Sequence, residues 1–476
     1  MIKVFNTLTK SMEEIIPMNG NHINMFVCGQ TVYDDMHLGH AKTYVNFDVI
    51  VRWLRFLGYD VTYLQNITDV DDKIINRSKE LGISANELVN KFEARFFEDV
   101  EALGIKKNVT KYLRSHNYIE AIVNQIQSLL DRKFAYLLEG DIYFDVDKFQ
   151  TYTALSGMKL EELKKHRIEP KEGKRNVYDF VLWKAAKSNE PKWDIELVIN
   201  NKKIKLPGRP GWHIEDTAMT FTEFGPQYDI HGGASELIFP HHTNEIAQAE
   251  AASGLKPFVK YWLHSGVLFI NNQKMSKSLK NFICVREVLE KYNYEDIRFF
   301  INSTHYRKDL NYDISNINEA KDKLNYIYSV LNMLYNLNEE IIDNGKNKDL
   351  QKDIEKFKTE FTNAMNSDFN VPLAISSLMI FIGEIKIYCE KYGIIGKEIK
   401  NKAIAEILNL ANNLGIIENS KYKNEIDDQT KALIKERESA RKNRDFIKAD
   451  KIRKMINEKG VEIEDSDNGT IYYFKF

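Results

Sequence analysis

Three short stretches of this chain carry side chains that can do chemistry at spacings that let them act together. The first runs from Met25 to His40 and holds Cys28, Gly29, His37, Gly39 and His40. Met25-Phe26-Val27 reads as a buried strand that ends at Cys28. A helix starting beside His37 puts both imidazoles on one face near its N-terminus, where backbone N–H groups attract anions. There they can bond phosphate oxygens, while Gly39 lets a flat base approach the backbone; the same residues also suit an ordinary loop. The second stretch is Phe239-Pro240-His241-His242-Thr243-Asn244-Glu245. His241 and Glu245 stand one helical turn apart, which suits two metal ligands as well as a structural histidine on a packed helix. The third is Lys274-Met275-Ser276-Lys277-Ser278. Two lysines and two serines on one loop can hold a polyphosphate, or make a solvated basic loop.

Such residues need elements to position them. After His40, Val45, Phe47, Val51, Leu54 and Phe56 step along a helix that Gly58 ends, and Val61 to Ile67 reads as a second strand. Strand, helix, strand implies a parallel sheet, with ligands beyond the carboxyl ends of its strands. Cys28 and Thr68 both fall there, ahead of the acidic run Asp69-Val70-Asp71-Asp72, which could equally be a turn or helix cap. Ser84 and Glu87 form a capping box for a helix through Leu88, Phe92 and Phe96. Ile119 to Leu130 predicts another helix, and Ile142 to Val146 a strand. Between Lys148 and Lys205 the periodicity breaks, and residues from about 110 to 205 read as an insertion between two halves of the sheet domain. Gly208-Arg209-Pro210-Gly211 predicts a tight turn into a helix, and Tyr228 to His231 a strand. Pro240 falls at the first turn of the helix carrying His241 and Glu245. Val267 to Ile270 is a strand turned by Asn271-Asn272 into the lysine–serine loop.

From about residue 318 to 414 the apolar residues step along helices, which suggests a bundle. Asn419 to Asp428 reads as a linker. Residues 431–459 hold eleven Lys or Arg against five Asp or Glu, with Ala440, Ile447, Ile452 and Ile456 as the buried stripe. This basic helix is a candidate phosphate-backbone contact. Ile471 to Phe474 is a closing strand after Asn468-Gly469.

The bulk numbers set limits. A 476-residue chain is too long for one core, and a net charge of −2 excludes whole-chain basicity, so any nucleic-acid face must be local. Three scattered cysteines argue against a disulfide framework and for a reducing, cytoplasmic compartment. No signal pattern appears, and the longest apolar run, near Val371 to Ile382, is broken by Pro372 and serines.

His37-Leu38-Gly39-His40 and Lys274-Met275-Ser276-Lys277-Ser278, in that order on an α/β pattern, resemble the two signature motifs of class I aminoacyl-tRNA synthetases. Longer strings narrow the resemblance to the cysteinyl-tRNA synthetase family, over nearly the whole chain. They are Cys28 to Asp34, Asn66 to Lys73, Gly208 to Glu215 and Phe239 to His242. The resemblance implies a Rossmann-like α/β catalytic domain in two halves, residues 1–109 and 206–317, around a connective insertion at 110–205. A helix bundle contacting tRNA at 318–425 and a small anticodon-binding module at 426–476 follow. It implies one Zn2+ per chain on positions Cys28, Asp216, His241 and Glu245, joined by the substrate's thiolate, which zinc prefers to a serine hydroxyl. It places Thr68, Trp212 and His231 with Cys28 around the amino acid. It sets ATP with Mg2+ over Gly29, His37, Gly39, His40, Lys274 and Lys277, of which His37, His40, Lys274 and Lys277 are catalytic. The implied activity is activation of L-cysteine with ATP and transfer to tRNA(Cys), by a cytoplasmic monomer that uses no membrane. The rivals are a ligase joining cysteine to a small amine and a non-catalytic tRNA-binding paralogue. The chain departs from the family at Asp216, where a second cysteine is usual, at Lys280, where glycine is usual, and at Thr243, where an acidic residue is common.

Overall fold

Five strands form one parallel sheet: β1 (His22–Thr31), β2 (Asp60–Thr68), β3 (Lys111–Arg114), β4 (Tyr228–Ala234) and β5 (Val259–Ser265), in the order β5-β4-β1-β2-β3. Met25 pairs with Tyr63 on one side, and Phe26 with His231 on the other. The inner strands are buried on both faces, as in parallel sheets whose two faces are covered by helices. The chain leaves β1 toward β2 on one side and reaches β4 on the other only after the insertion. The carboxyl end of β1 is therefore the switch point at which ligands bind in open sheets.

The computed structural model describes residues 1–158, 171–187, 190–275, 281–340 and 347–476. They fall into two compact units, one of residues 3–291 with 306–311, the other of residues 292–305 with 312–476.

In the first unit, α1 (Leu38–Phe56) follows β1 directly. His37 caps it, its Nδ1 accepting from the His40 N–H at 3.2 Å, and the helix buries Ala41, Tyr44, Val45, Phe47, Val51, Trp53 and Leu54. Of the acidic run, Asp71 caps α2 (Asp72–Leu81) by accepting from the Lys73 N–H at 2.7 Å. The Ser84–Glu87 capping box opens α3 (Ala85–Ala102), and α4 (Ile119–Asp131) packs under the sheet. The insertion is an antiparallel sheet in the order Ala135–Leu138, Asp141–Phe144, Phe180–Ala185, Lys202–Pro210, Trp193–Ile199.

Residues 208–211 correct the sequence reading. Gly208 to Pro210 finish a strand, and no tight turn forms before α5 (Trp212–Phe224), which Gly211 caps. The two glycines serve close approach: a Cβ at Gly211 would sit 2.0 Å from the Val181 carbonyl oxygen, and one at Gly208 2.4 Å from that of Lys184. The helix carrying Glu245 is α6 (Thr243–Ser253); Pro240 lies before it, in a wider turn over Ile238–His242 with Phe239 extended.

In the second unit, helices Ile314–Asn336, Asn347–Asn366, Val371–Tyr392 and Lys397–Ala411 form the expected bundle. Val371–Tyr392 is long and apolar enough to cross a membrane, yet Ala374, Leu378, Phe381, Ile382 and Ile385 are all buried in the unit's own core. The polar stretch 419–428 is packed rather than a free linker. Tyr422 is buried, and Asn332 donates to the carbonyls of Tyr422 and Asn424 at 2.9 and 2.8 Å. Helices Asp428–Lys442 and Phe446–Asn457 and the hairpin Val461–Ser466/Gly469–Phe474 share a small core of Ile434, Ile452, Ile456 and Ile463. Ile447, expected in that stripe, is 87% exposed: the chain turns between the two helices, so its apolar phase is not continuous.

Candidate active site and metal centre

Four elements bring a set of ligating side chains to the carboxyl end of β1. β1 delivers Cys28 where its register against β2 shifts between Val27 and Gln30. α5 delivers Asp216, β4 delivers His231, and α6 with its preceding turn delivers His241, His242 and Glu245. Cys28 Sγ lies 3.4 Å from Asp216 Oδ2, 3.4 Å from His231 Nε2 and 3.2 Å from His242 Nε2. His241 Nε2 lies 3.1 Å from Asp216 Oδ2 and 3.0 Å from Glu245 Oε1. Two four-residue groups could therefore share an ion: Cys28, Asp216, His241 and Glu245, or Cys28, His231, His242 and Glu245.

A second layer of polar contacts orients these groups. Asn66 Nδ2 donates to Asp216 Oδ1 at 2.8 Å, and the Tyr228 hydroxyl lies 2.6 Å from His231 Nδ1. His213 Nδ1 lies 2.8 Å from His241 Nδ1, and His264 Nε2 2.8 Å from His242 Nδ1. Such partners set ring tautomer and direction in metal sites.

The residues fit a dication. Glu245 is fully buried, and its carboxylate meets ring nitrogens alone, His241 Nε2 at 3.0 Å from Oε1 and His231 Nε2 at 3.5 Å from Oε2 among the described residues. Burial, then the charges of Glu245 and Asp216, push the Cys28 thiol well above its ordinary range. Burial likewise raises Glu245 to about 7 against the pull of His241. Burial lowers His241, yet Glu245 and Asp216 outweigh it and hold the imidazole at about 9. Acidic donors are crowded here with too little positive charge, which a divalent ion corrects. One sulfur, one nitrogen and two carboxylates make a donor set that Zn2+ accepts.

Cys28 also borders a cavity of about 350 Å3. Cys28, Gly29 and Trp212 line it, with His37, Gly39 and His40 at the start of α1 and Lys274, Met275 and Phe282 beside the lysine–serine loop. Trp212 stacks on His241 at 4.1 Å, so cluster and cavity share a wall. His37 and His40 stack at 3.6 Å, and a Cβ at Gly39 would press on Met275 Cε at 2.7 Å. Burial holds His37 at about 4, and His40 well below its ordinary value, with Lys73 adding to both shifts. The pair is therefore neutral, and each ring keeps one N–H that can donate to a phosphate oxygen. Lys274 is paired with Glu236. Both ends of the lysine–serine loop are anchored near the histidines. Lys274 pairs with Phe269, and on the return Leu38 N donates to Ile283 O and Val285 N to Met36 O, each at 2.9 Å. Lys277 and Lys280 lie outside the described residues.

Of the remaining expected residues, Thr68 and His231 do not border the cavity. Thr68 is buried and accepts from Asn66 at 3.3 Å, and His231 sits inside the ligand cluster. Sequence reasoning passed over Tyr33, Lys73, Glu236, His242 and Lys42. His242 was visible as the neighbour of His241. Lys42, one turn into α1, is buried and donates to Gly266 O at 2.7 Å, Ser265 Oγ at 3.1 Å and Tyr306 O at 3.3 Å. Burial draws its ammonium down to about 7, and the three bonds pin α1 to the wall that leads to Lys274.

A Rossmann-type parallel sheet with ligating residues and a histidine pair at its switch point defines a class I tRNA synthetase. The family model for the tRNA synthetases class I (C) catalytic domain matches residues 14–322, and that for the DALR domain residues 360–418. A solved Mycobacterium tuberculosis methionyl-tRNA synthetase in complex with methionyl-adenylate shares the fold, with a TM-score of 0.57 over 83% of this chain and 89% of that one at 15% identity. The cysteine–tRNA ligase of Thermoplasma acidophilum is 40% identical, covering 99% of this chain and 100% of its own. That of Clostridioides difficile is also 40% identical, over 98% and 99%. The chain belongs to the cysteine–tRNA ligase family, and its activity is the ATP-dependent ligation of cysteine to tRNA.

Proposed function

We propose that the cavity and the cluster divide the two substrates between them. ATP lies over Gly29, His37, Gly39 and His40, with its phosphates, carrying Mg2+, reached by Lys274 and Lys277. Cysteine enters with its thiol toward Cys28 and its body against Trp212, while Thr68 and His231 stiffen the wall behind. The observation that carries this reading is the double position of Cys28, 3.4 Å from Asp216 in the cluster and also lining the cavity with the histidine pair. The carboxylate of cysteine attacks the α-phosphate, pyrophosphate leaves, and a terminal ribose hydroxyl of tRNA(Cys) then takes the cysteinyl group. The chain's contribution is position and charge, since no protein nucleophile is needed.

Cys28, Asp216, His241 and Glu245 are the residues that would hold Zn2+; this group is preferred over the one with His231 and His242 because it has three anionic donors. Bound zinc supplies a soft acceptor for the substrate's thiolate, and so separation from serine. The bundle of residues 318–425 and the basic module of 426–476 grip the tRNA. The enzyme acts as a cytoplasmic monomer away from membranes. The test is metal content together with cysteine-dependent ATP–pyrophosphate exchange. Cys28→Ala and Asp216→Ala should each lower metal from one per chain and raise the serine-to-cysteine ratio in exchange. Full metal content in Cys28→Ala would remove Cys28 from the ligand set.

A further inference from the structure

Lys73 stands in the cavity with no role assigned to it. It follows the cap of α2, and its Nζ lies 5.6 Å from the ring centroid of Tyr33 and 5.7 Å from that of Trp212. Both rings belong to the cavity wall. Among the described residues no carboxylate forms an ion pair with the Lys73 ammonium, whose charge reaches Asp71 only through space. Asp72 is paired with Arg209 and, at 2.8 Å, with Lys184, while Asp71 accepts from the Lys73 backbone as the helix cap. Lys274, the other described lysine of the cavity, is paired with Glu236. Burial keeps His37 and His40 neutral. Among the described residues lining the cavity, Lys73 is thus the cation without a carboxylate partner, held by two aromatic faces.

Its place matters because cysteine is short. The carboxylate carbon is three bonds from sulfur, so a thiol at the Cys28 cluster leaves the carboxylate at the same end of the cavity. Trp212, which stacks on His241, marks that end. We propose that Lys73 is a catalytic residue of cysteine activation, its ammonium meeting the anionic junction where the substrate carboxylate joins the α-phosphate. In that step a carboxylate oxygen forms a bond to the α-phosphorus. The bond from phosphorus to the bridging oxygen breaks, its electron pair leaves on pyrophosphate, and no proton moves. A fixed cation at the junction offsets repulsion between two anions and charge on the equatorial oxygens. The inference rests on the adenylate-forming reading of the cavity.

The experiment uses the full-length, metal-loaded enzyme and its Lys73→Met, Lys73→Gln and Lys73→Arg variants. Lys73→Met and Lys73→Gln should lower kcat/KM for cysteine in pyrophosphate exchange by about 10²-fold, the usual loss for one preorganised charge-stabilising donor. Lys73→Arg should recover about tenfold of it. Melting temperature and competition by cysteamine, which has the thiol but no carboxylate, should stay at wild-type values. Three results would overturn the proposal: exchange within twofold of wild type in both neutral variants, arginine no better than methionine, or cysteamine weakened as much as cysteine. The last would mean that Lys73 only packs Trp212 and Tyr33. Absence of cysteine-dependent exchange in the wild type would instead overturn the reading on which the inference rests.

Discussion

Gly29 is the residue whose smallest change should disturb the site most. It follows Cys28 at the register shift between β1 and β2, and its N–H donates to Asn66 Oδ1. A Cβ at this position would lie 1.8 Å from the Asn66 carbonyl oxygen and 2.9 Å from its carbonyl carbon. Relief to an ordinary contact near 3.4 Å demands a shift of 1.6 Å between two backbones, with no flexible side chain to absorb it. Metal sites tolerate ligand displacements of about 0.2 Å, so the movement is several times what Cys28 could make and still hold the ion proposed for the cluster. Asn66 also donates to Asp216 at 2.8 Å, so the same movement disturbs a second proposed ligand. Gly29→Ala should cost about 1–3 kcal/mol of stability by overpacking. It should also weaken metal binding at least as much as loss of an outer-layer partner does, about 10–100-fold. The assay is chelator competition on purified protein with a denaturant melt alongside. Metal affinity within threefold of wild type, in a protein that melts normally, would refute the link between the β1–β2 approach and the cluster.

Two further outcomes follow from the geometry. The value of about 4 for His37 lies below the 6.5 of the unfolded chain, so its neutral form favours the fold fully above pH 6.5 and less as pH falls from 6.5 toward 4. Pyrophosphate exchange should therefore show no acid limb from the histidine pair between pH 8 and about pH 6; a limb near 6.5 that disappears in His37→Asn would contradict this. In the second unit the Arg437 side chain is 2% exposed and makes paired bonds of 2.7 and 2.9 Å to Asp465. Asp465→Ala strands that guanidinium and should lower stability by about 1–2 kcal/mol, discounted because Asp465 itself is partly exposed. The denaturation of residues 312–476 should shift, with cysteine-dependent exchange unchanged.

Much was legible in the chain because it was local. Short strand-like runs marked the strands that carry Cys28, Thr68 and His231, and helical spacing marked the helix after His40. The Ser84–Glu87 capping box is a contact across three residues and formed as its sequence predicts. His37 and His40 are close for the same reason: a helix start fixes residues three apart. Glycines at 208 and 211 misled, since a turn and a close approach of backbones demand the same residue, and only the partner strand distinguishes them. Ile447 misled because helical phase restarts after a break in the chain.

The sequence by itself determined which groups are available: one thiol, its imidazole and carboxylate companions, a histidine pair and a lysine loop. It also determined, through short-range geometry, which element bears each. Only the tertiary structure decided that Cys28 and Asp216, 188 residues apart, face each other at 3.4 Å, and that Lys73 shares a cavity with Cys28. The physical reason is that such contacts are set by the stacking order of strands in a sheet and by helix packing across it. These depend on the summed burial of many apolar residues, and no single motif records them.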